Sequence, residues 1–504
     1  MWLTQLLDRN RRSIGGALAL ADARRSLTWD GLHRRTTALA VRLTGLGVRH
    51  GDRVAVLSRD RTEVLETYFA LGRIGALFVP LDPSLVPGEV VEAAQHAKVT
   101  GLVGEAALLG RLGPGAPACW RLAFEDAAYA DLADGPDERT GAHAADPVAE
   151  ADVRADDPAA ILYTSATTGH PKGVVVDHRS LKDIALGWLA ATAPGDDRVL
   201  VTACPLFHGS VVLTLAYLAA GATVVIPDPG ADGVITAARE HRATHLWLVP
   251  ETLRAVLERL DARPGQPLPG SLTEILYGAA PMPVELYAAA ARRIGCGFRQ
   301  VYGLTEAGGP VVTLAPAEHP APDGDLPETL PVGRIIPGMS VRVADEHGRT
   351  AATGERGEIQ LRGDGRMRGY WRDPAATAAA FTAGWLRTGD IGFLDDRGRL
   401  HLVDRLTDLI IRNGLNIYPA EIERVLRANP DVADAAVVGV PDQAEGEVPF
   451  ALVVLAPGAT VGRAEILEYL AARMAAPKTP AGVQLIEELP RGASGKVQKA
   501  LLTA

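Results

Sequence analysis

The sequence predicts an α/β fold in two unequal parts. A large N-terminal domain, with mixed sheets covered by helices and a β-rich subdomain, precedes a small α+β C-terminal domain. Three observations carry this. Through residue 294, short apolar runs alternate with helical patterns, and repeated strand–helix–strand units imply a largely parallel sheet covered on both faces. From 332 to 403 the strand patterns shorten and glycine turns multiply. The last hundred residues carry their own alternation, and a chain of 504 residues exceeds what one core supports.

In order, Leu32, Leu39, Ala40 and Leu43 approximate helical spacing, and Leu46-Gly47 closes that helix. Gly51-Asp52 turns the chain into the buried-strand pattern Arg53-Val54-Ala55-Val56-Leu57. A helix with Val64, Leu65, Tyr68 and Phe69 leads to Ala76-Leu77-Phe78-Val79-Pro80. The acidic, Ala-, Asp-, Gly- and Pro-rich stretch 127–158 reads as a surface loop. Strands at 200–202 and 224–226 bracket an apolar helix; 246–250 and 274–277 continue the alternation. The helix 283–294 ends at Gly295, and 315–331 is a connection without periodicity. Near the end, a helix at 420–427 is followed by strands at 435–440 and 450–455 and a helix at 463–474. The expected boundaries are 1–403, a hinge at 404–408, and 409–504.

Composition narrows the function. With 47% hydrophobic and 22% charged residues the chain reads as globular. A net charge of −10 with no basic block argues against a nucleic-acid partner. Cys119, Cys204 and Cys296 are too widely spaced for a disulfide framework or a cysteine-rich zinc site, which predicts a reducing cytoplasm. Charge interrupts the N-terminal apolar run too early for a signal peptide. The apolar stretch 211–226 contains Gly221 and is too short for a membrane span.

The most informative stretch is Thr164-Ser165-Ala166-Thr167-Thr168-Gly169-His170-Pro171-Lys172-Gly173, flanked by Ile161-Leu162-Tyr163 and Val174-Val175-Val176. It reads as strand, loop, strand, with four hydroxyls and a lysine on a backbone that can bend close to an anion. Taken alone it also suits an ordinary polar hairpin turn. It is not a Walker loop, because His170-Pro171 separates Gly169 from the lysine. Downstream stand Phe207-His208, Gly278-Ala279-Ala280-Pro281, Tyr302-Gly303-Leu304-Thr305-Glu306, Arg387-Thr388-Gly389-Asp390, Asp404-Arg405 and Gly492-Ala493-Ser494-Gly495-Lys496. Singly, Glu306 suits a solvated loop, Asp390 a turn and His208 a packed core position. Their order at strand ends favours a ligand site, because open α/β sheets bind ligands there.

Together these motifs resemble the adenylate-forming superfamily of acyl-CoA synthetases, stand-alone adenylation enzymes and luciferases, most of all an acyl-CoA synthetase. The resemblance covers nearly the whole chain and implies a mobile C-terminal domain. It implies that Thr164, Ser165, Thr167, Thr168 and Lys172 hold the β- and γ-phosphates of ATP, and that Thr305 contacts phosphate. Glu306 would bind Mg²⁺. Gly278, Ala279, Ala280, Pro281, Tyr302 and Gly303 would surround the adenine. Asp390 would accept from both ribose hydroxyls, with Arg405 nearby. Lys496 would bridge the attacking carboxylate and the α-phosphate as a protonated cation. His208 would line the acyl pocket, and Gly414, in Arg412-Asn413-Gly414-Leu415-Asn416, would line a channel for the pantetheine thiol of CoA.

Three positions depart from the family pattern: Ala166 where glycine is usual, Thr407 where the hinge is usually Asp or Lys, and Lys499 where Arg is frequent. Amino-acid-activating members pair the α-ammonium with an Asp that Gly209-Ser210-Val211-Val212-Leu213 lacks, and a buried unpaired ammonium is costly. The substrate is expected to be another carboxylic acid, in a mostly apolar pocket lined by Ser210, Val211, Val212, Tyr217 and 277–281. An acid–CoA ligase is the leading reading. A ligase that charges a carrier-protein phosphopantetheine arm is the alternative, and a non-catalytic nucleotide-binding relative a third.

Overall fold

A computed structural model describes residues 2–113, 115–130, 132, 153–164, 172–192, 197–209, 211–413, 415–492 and 497–502. Two compact units emerge: Met1–Ser340 with Leu361–Leu386, and Val341–Gln360 with Arg387–Ala504.

In the first unit the expected strand–helix alternation builds two large sheets. The nine-stranded sheet has Gly297–Leu304, Glu274–Gly278, His245–Leu248, Val199–Thr202, Thr223–Val225 and Leu18–Ala21 side by side and parallel. Antiparallel strands Gly309–Leu314 and Arg334–Ile335 close one edge, and Ser26–Thr28 the other. Such buried parallel strands read as continuous apolar runs because both faces are covered. Helices Ala231–Glu240, Pro250–Ala262 and Val284–Ile294 cover one face, burying Val234, Leu253, Val256 and Leu286 against Leu246, Ile275 and Tyr277. Gly295 ends the last helix in the left-handed conformation (φ 75°), where a side chain would be strained.

The seven-stranded sheet runs Gly369–Tyr370, Lys172–Asp177, Pro158–Thr164, Leu77–Leu81, Arg53–Leu57, Gly101–Gly104, Trp120–Ala123. Its last five strands are parallel, and the first two pair antiparallel. The expected β-rich region 332–403 therefore does not form a sheet of its own throughout. Arg334–Ile335 joins one large sheet and Gly369–Tyr370 the other.

In the same unit, helix Thr62–Ile74 buries Glu66 completely. Arg35 meets that carboxylate through Nε at 2.9 Å and Nη2 at 3.1 Å, and the Tyr129 hydroxyl donates to it at 3.0 Å. A buried charge persists only when it is paired and fully hydrogen-bonded in this way.

In the second unit, Leu400–Arg405 pairs antiparallel with Trp385–Leu394 over residues 390–394. The C-terminal α+β module follows. Strands Gly446–Leu455 and Val432–Asp442 form its long antiparallel pair, and Gly482–Leu485 adds in parallel. Helices Pro419–Arg427 and Arg463–Ala471 bury Ile422, Leu426, Ile466 and Leu470 against Val437, Ala451 and Val453. The second helix ends three residues before its expected limit. Among the described residues no helix is long and apolar enough to cross a membrane.

Candidate active site

Strand Pro158–Thr164 and strand Lys172–Asp177 form an antiparallel hairpin in which Thr164 and Lys172 are register partners. The two expected strands are thus present, and the loop between them, 165–171, lies outside the described residues. Ser165, Thr167 and Thr168, with Ala166, lie outside the described residues.

The parallel strands of the nine-stranded sheet deliver the other motifs at their carboxyl ends. Phe207-His208 follows Val199–Thr202, Gly278-Ala279-Ala280-Pro281 closes Glu274–Gly278, and Thr305-Glu306 follows Gly297–Leu304. Close backbone contacts set their spacing. A Cβ on Gly278 would meet the Val301 carbonyl oxygen at 2.2 Å, and one on Gly303 would meet that of Gly309 at 2.2 Å. Larger residues would push these strands apart. Ala279 sits at φ 65°, a left-handed conformation that costs an alanine about 1 kcal/mol or more and that gathers at ligand sites. Gly209 packs within Cβ reach of Thr305 Cα (3.5 Å), joining the His208 loop to the Thr305–Glu306 loop.

Glu306 and Lys172 meet on one residue that sequence reading did not single out. The Tyr370 hydroxyl donates to Glu306 Oε1 at 2.9 Å, and Lys172 Nζ lies 5.2 Å from the centroid of the same ring. Burial and the adjacent carboxylate hold the phenol well above its usual pKa, so it stays a donor. The only local signal was an aromatic between Gly369 and Trp371, and nothing nearby in sequence names its partners. Among the described residues no cluster of three or more His, Cys, Asp or Glu side chains could hold a metal alone. One carboxylate, with its hard oxygen, suits Mg²⁺, which keeps waters and is bound through one or two carboxylates plus substrate phosphates.

Two acids bear on the Phe207-His208 loop. Asp60 accepts from the Leu206 backbone N–H at 2.9 Å, which ties the aromatic–His loop to the end of strand Arg53–Leu57. Burial raises the Asp60 carboxyl to about 6. Burial also pulls the His208 imidazole below its usual pKa, with Asp82 acting in the opposite sense, so the ring is neutral near pH 7. A neutral, half-buried His beside Phe207 (centroids 4.4 Å apart) is built for shape and polarity. Helix Val211–Ala219, with Val211, Val212 and Tyr217, is buried along its length; Ser210 lies outside the described residues. Tyr277 corrects an expectation about the pocket. Strand alternation turns its ring into the helix-covered core, where its hydroxyl meets His319 Nε2 at 2.8 Å.

Within the second unit, buried Asp390 and Arg405 are register partners, and Arg405 Nε lies 2.9 Å from Asp390 Oδ1. Thr388 Oγ1 accepts from the Asp390 N–H at 3.0 Å and donates to the Ile359 carbonyl at 2.7 Å, fixing that turn. Asp404 accepts from the Ala420 N–H at 2.8 Å in the first turn of helix Pro419–Arg427. Lys499 lies 2.7 Å from Glu423 and 3.7 Å from Asp408. Arg412 binds Glu445 through two nitrogens, at 2.5 and 2.9 Å, and Asn413 turns the hairpin at φ 50°. Gly414 and Lys496 lie outside the described residues.

A family model described as AMP-binding enzyme matches residues 7–371, and one described as AMP-binding enzyme C-terminal domain matches residues 421–496. The chain is 36% identical over 501 residues to a feruloyl-CoA synthase from Amycolatopsis sp, spanning 97% of this chain and 96% of that protein. It is 35% identical over 486 residues to ScoC from Streptomyces coeruleorubidus, a fatty acid–[acyl-carrier-protein] ligase, spanning 94% and 90%. ATP-bound MatB from Rhodopseudomonas palustris is similar in structure with a TM-score of 0.87 at 30% identity, over 99% of this chain and 98% of that one.

Proposed function

The chain belongs to the AMP-binding enzyme family, the adenylate-forming enzymes its motifs resemble, and on that premise we propose that it is an AMP-forming carboxylic acid–CoA ligase. Acid and ATP form an acyl-adenylate and pyrophosphate, and the thiol of CoA then displaces AMP. The observation that carries the site assignment is the gathering of Lys172 and Glu306 on the Tyr370 ring, next to strand ends that suit a polyanion.

Nucleotidyl transfer relies on positioning and on neutralising charge rather than on covalent catalysis. Thr164, Ser165, Thr167, Thr168 and Lys172 hold the β- and γ-phosphates, and Thr305 contacts phosphate. Glu306 would hold a Mg²⁺ ion, which would supply positive charge to the phosphate oxygens. The Gly278-Ala279-Ala280-Pro281 segment, Tyr302 and Gly303 enclose the adenine, and Asp390 accepts from the ribose hydroxyls beside Arg405. Lys496 is the cation between the carboxylate and the α-phosphate. His208, neutral, lines the acyl pocket and takes no proton. The turn at 404–408 is the hinge about which the C-terminal domain exchanges Lys496 for the thiol-facing loop at Gly414.

Val211 and Val212 favour an apolar acid, and no carboxylate in 209–213 is available to pair an ammonium. A panel of aryl, aliphatic and short acids with ATP and Mg²⁺ tests this by pyrophosphate release. Silence with every acid would overturn the catalytic reading. The match to ScoC favours one second reading, a carrier-protein ligase. Thioester formation with CoA, compared with a phosphopantetheinylated carrier, separates the two.

A further inference from the structure

Tyr370 is fixed from both sides. Its strand lies on the lysine strand, with Tyr370 opposite Val174, and the Trp371 N–H donates to the Gly173 carbonyl at 2.7 Å. On the other side, the Met367 N–H donates to the Glu306 carbonyl at 2.8 Å, and a Cβ on Gly308 would meet the Gly365 carbonyl oxygen at 2.1 Å. The backbone segment 365–371 is therefore clamped between the two motifs before its side chain makes any contact.

That side chain reaches groups of opposite charge through different parts of one rigid plane. The hydroxyl at its edge takes Glu306 Oε1, which aims the remaining carboxylate lone pairs in one direction. The negative face of the ring attracts the Lys172 ammonium without a hydrogen bond, which leaves its three N–H donors for other acceptors. A simple tie between two loops needs only one of these contacts.

We propose that Tyr370 is a positioning residue that sets the spacing between the cation-binding carboxylate and the phosphate-binding ammonium. The hydroxyl orients Glu306 for the metal, and the ring face orients Lys172 for the triphosphate. This rests on the roles given to Glu306 and Lys172 above.

The two contacts can be removed one at a time. Tyr370→Phe keeps the ring and removes the hydroxyl; Tyr370→Leu removes both. Mn²⁺ binding to the full-length protein with a non-hydrolysable ATP analogue, followed by electron paramagnetic resonance, reads the carboxylate. Binding of the same analogue in EDTA reads the lysine. Tyr370→Phe is expected to weaken Mn²⁺ about tenfold and to leave metal-free analogue binding unchanged. Tyr370→Leu is expected to weaken metal-free binding as well, about twofold to fivefold. The acid KM should stay constant in both. Wild-type Mn²⁺ affinity in Tyr370→Phe, or equal losses in all three readouts, overturns the proposal. Glu306→Gln and Lys172→Met serve as references. If they too bind Mn²⁺ and analogue like wild type, the underlying site assignment fails; if they lose binding while Tyr370→Phe does not, only the role of Tyr370 fails.

Discussion

Arg405 Nε lies 2.9 Å from Asp390 Oδ1, and the two residues face each other as register partners on adjacent strands. The Asp390 side chain is 7% exposed, whereas the arginine side chain is 41% exposed. Arg405 can therefore move more readily than Asp390. The ion pair aims a buried carboxylate, which suits the proposed role of accepting from two ribose hydroxyls.

Replacing Asp390 with Ala removes charge-assisted hydrogen bonds worth about 1.5–3 kcal/mol each. The expected result is a KM for ATP raised at least about tenfold, with the acid KM little changed. Steady-state pyrophosphate release at varied ATP checks this, and an unchanged KM for ATP refutes the ribose role.

Glu306→Gln preserves size and an acceptor for Tyr370 but removes the charge. The Mg²⁺ concentration for half-maximal adenylation should rise by more than the roughly 10- to 100-fold typical of losing an outer partner of a metal ligand. A Mg²⁺ titration of wild type and variant decides it. Equal titrations would move the metal elsewhere.

Lys496→Ala should lower acyl-adenylate formation by about 10²–10³, the usual effect of removing one group that stabilises transition-state charge. Thioester formation from supplied acyl-AMP should be largely spared. Equal loss of both half-reactions would show that Lys496 does not serve adenylation alone.

The turn at 404–408 has a pH signature. Burial raises the Asp404 carboxyl to about 6, from an ordinary 3.8, even with Lys499 nearby and N–H donors from Ala420 and Arg405. A raised carboxyl favours its protonated form in the fold. Its contribution is whole below about 3.8 and is lost as pH rises through 6, on the order of 2 kcal/mol between pH 4.5 and 7.5. An asparagine side chain does not titrate, so Asp404→Asn should gain thermal stability relative to wild type as pH rises across that interval. Thermal melts at both pH values test this. A constant difference in melting temperature would exclude the titration.

Local chemistry made much of this protein legible in its sequence. The hairpin that pairs Thr164 with Lys172, the helix that stops at Gly295 and the helix beginning at Pro419 each follow from side-chain period and turn residues a few positions apart. The motifs at strand ends were legible for the same reason, because each is a short run whose polarity breaks an apolar pattern. What only the tertiary structure decided are the partnerships across the chain. Tyr370 meets Glu306 across 64 residues, and Asp60 holds Leu206 across 146. Tyr277, one residue before a site motif, turns away into the core. Sheet order and strand facing set these outcomes. Both depend on how distant strands pair, and a local run of residues carries no record of its neighbour in the sheet.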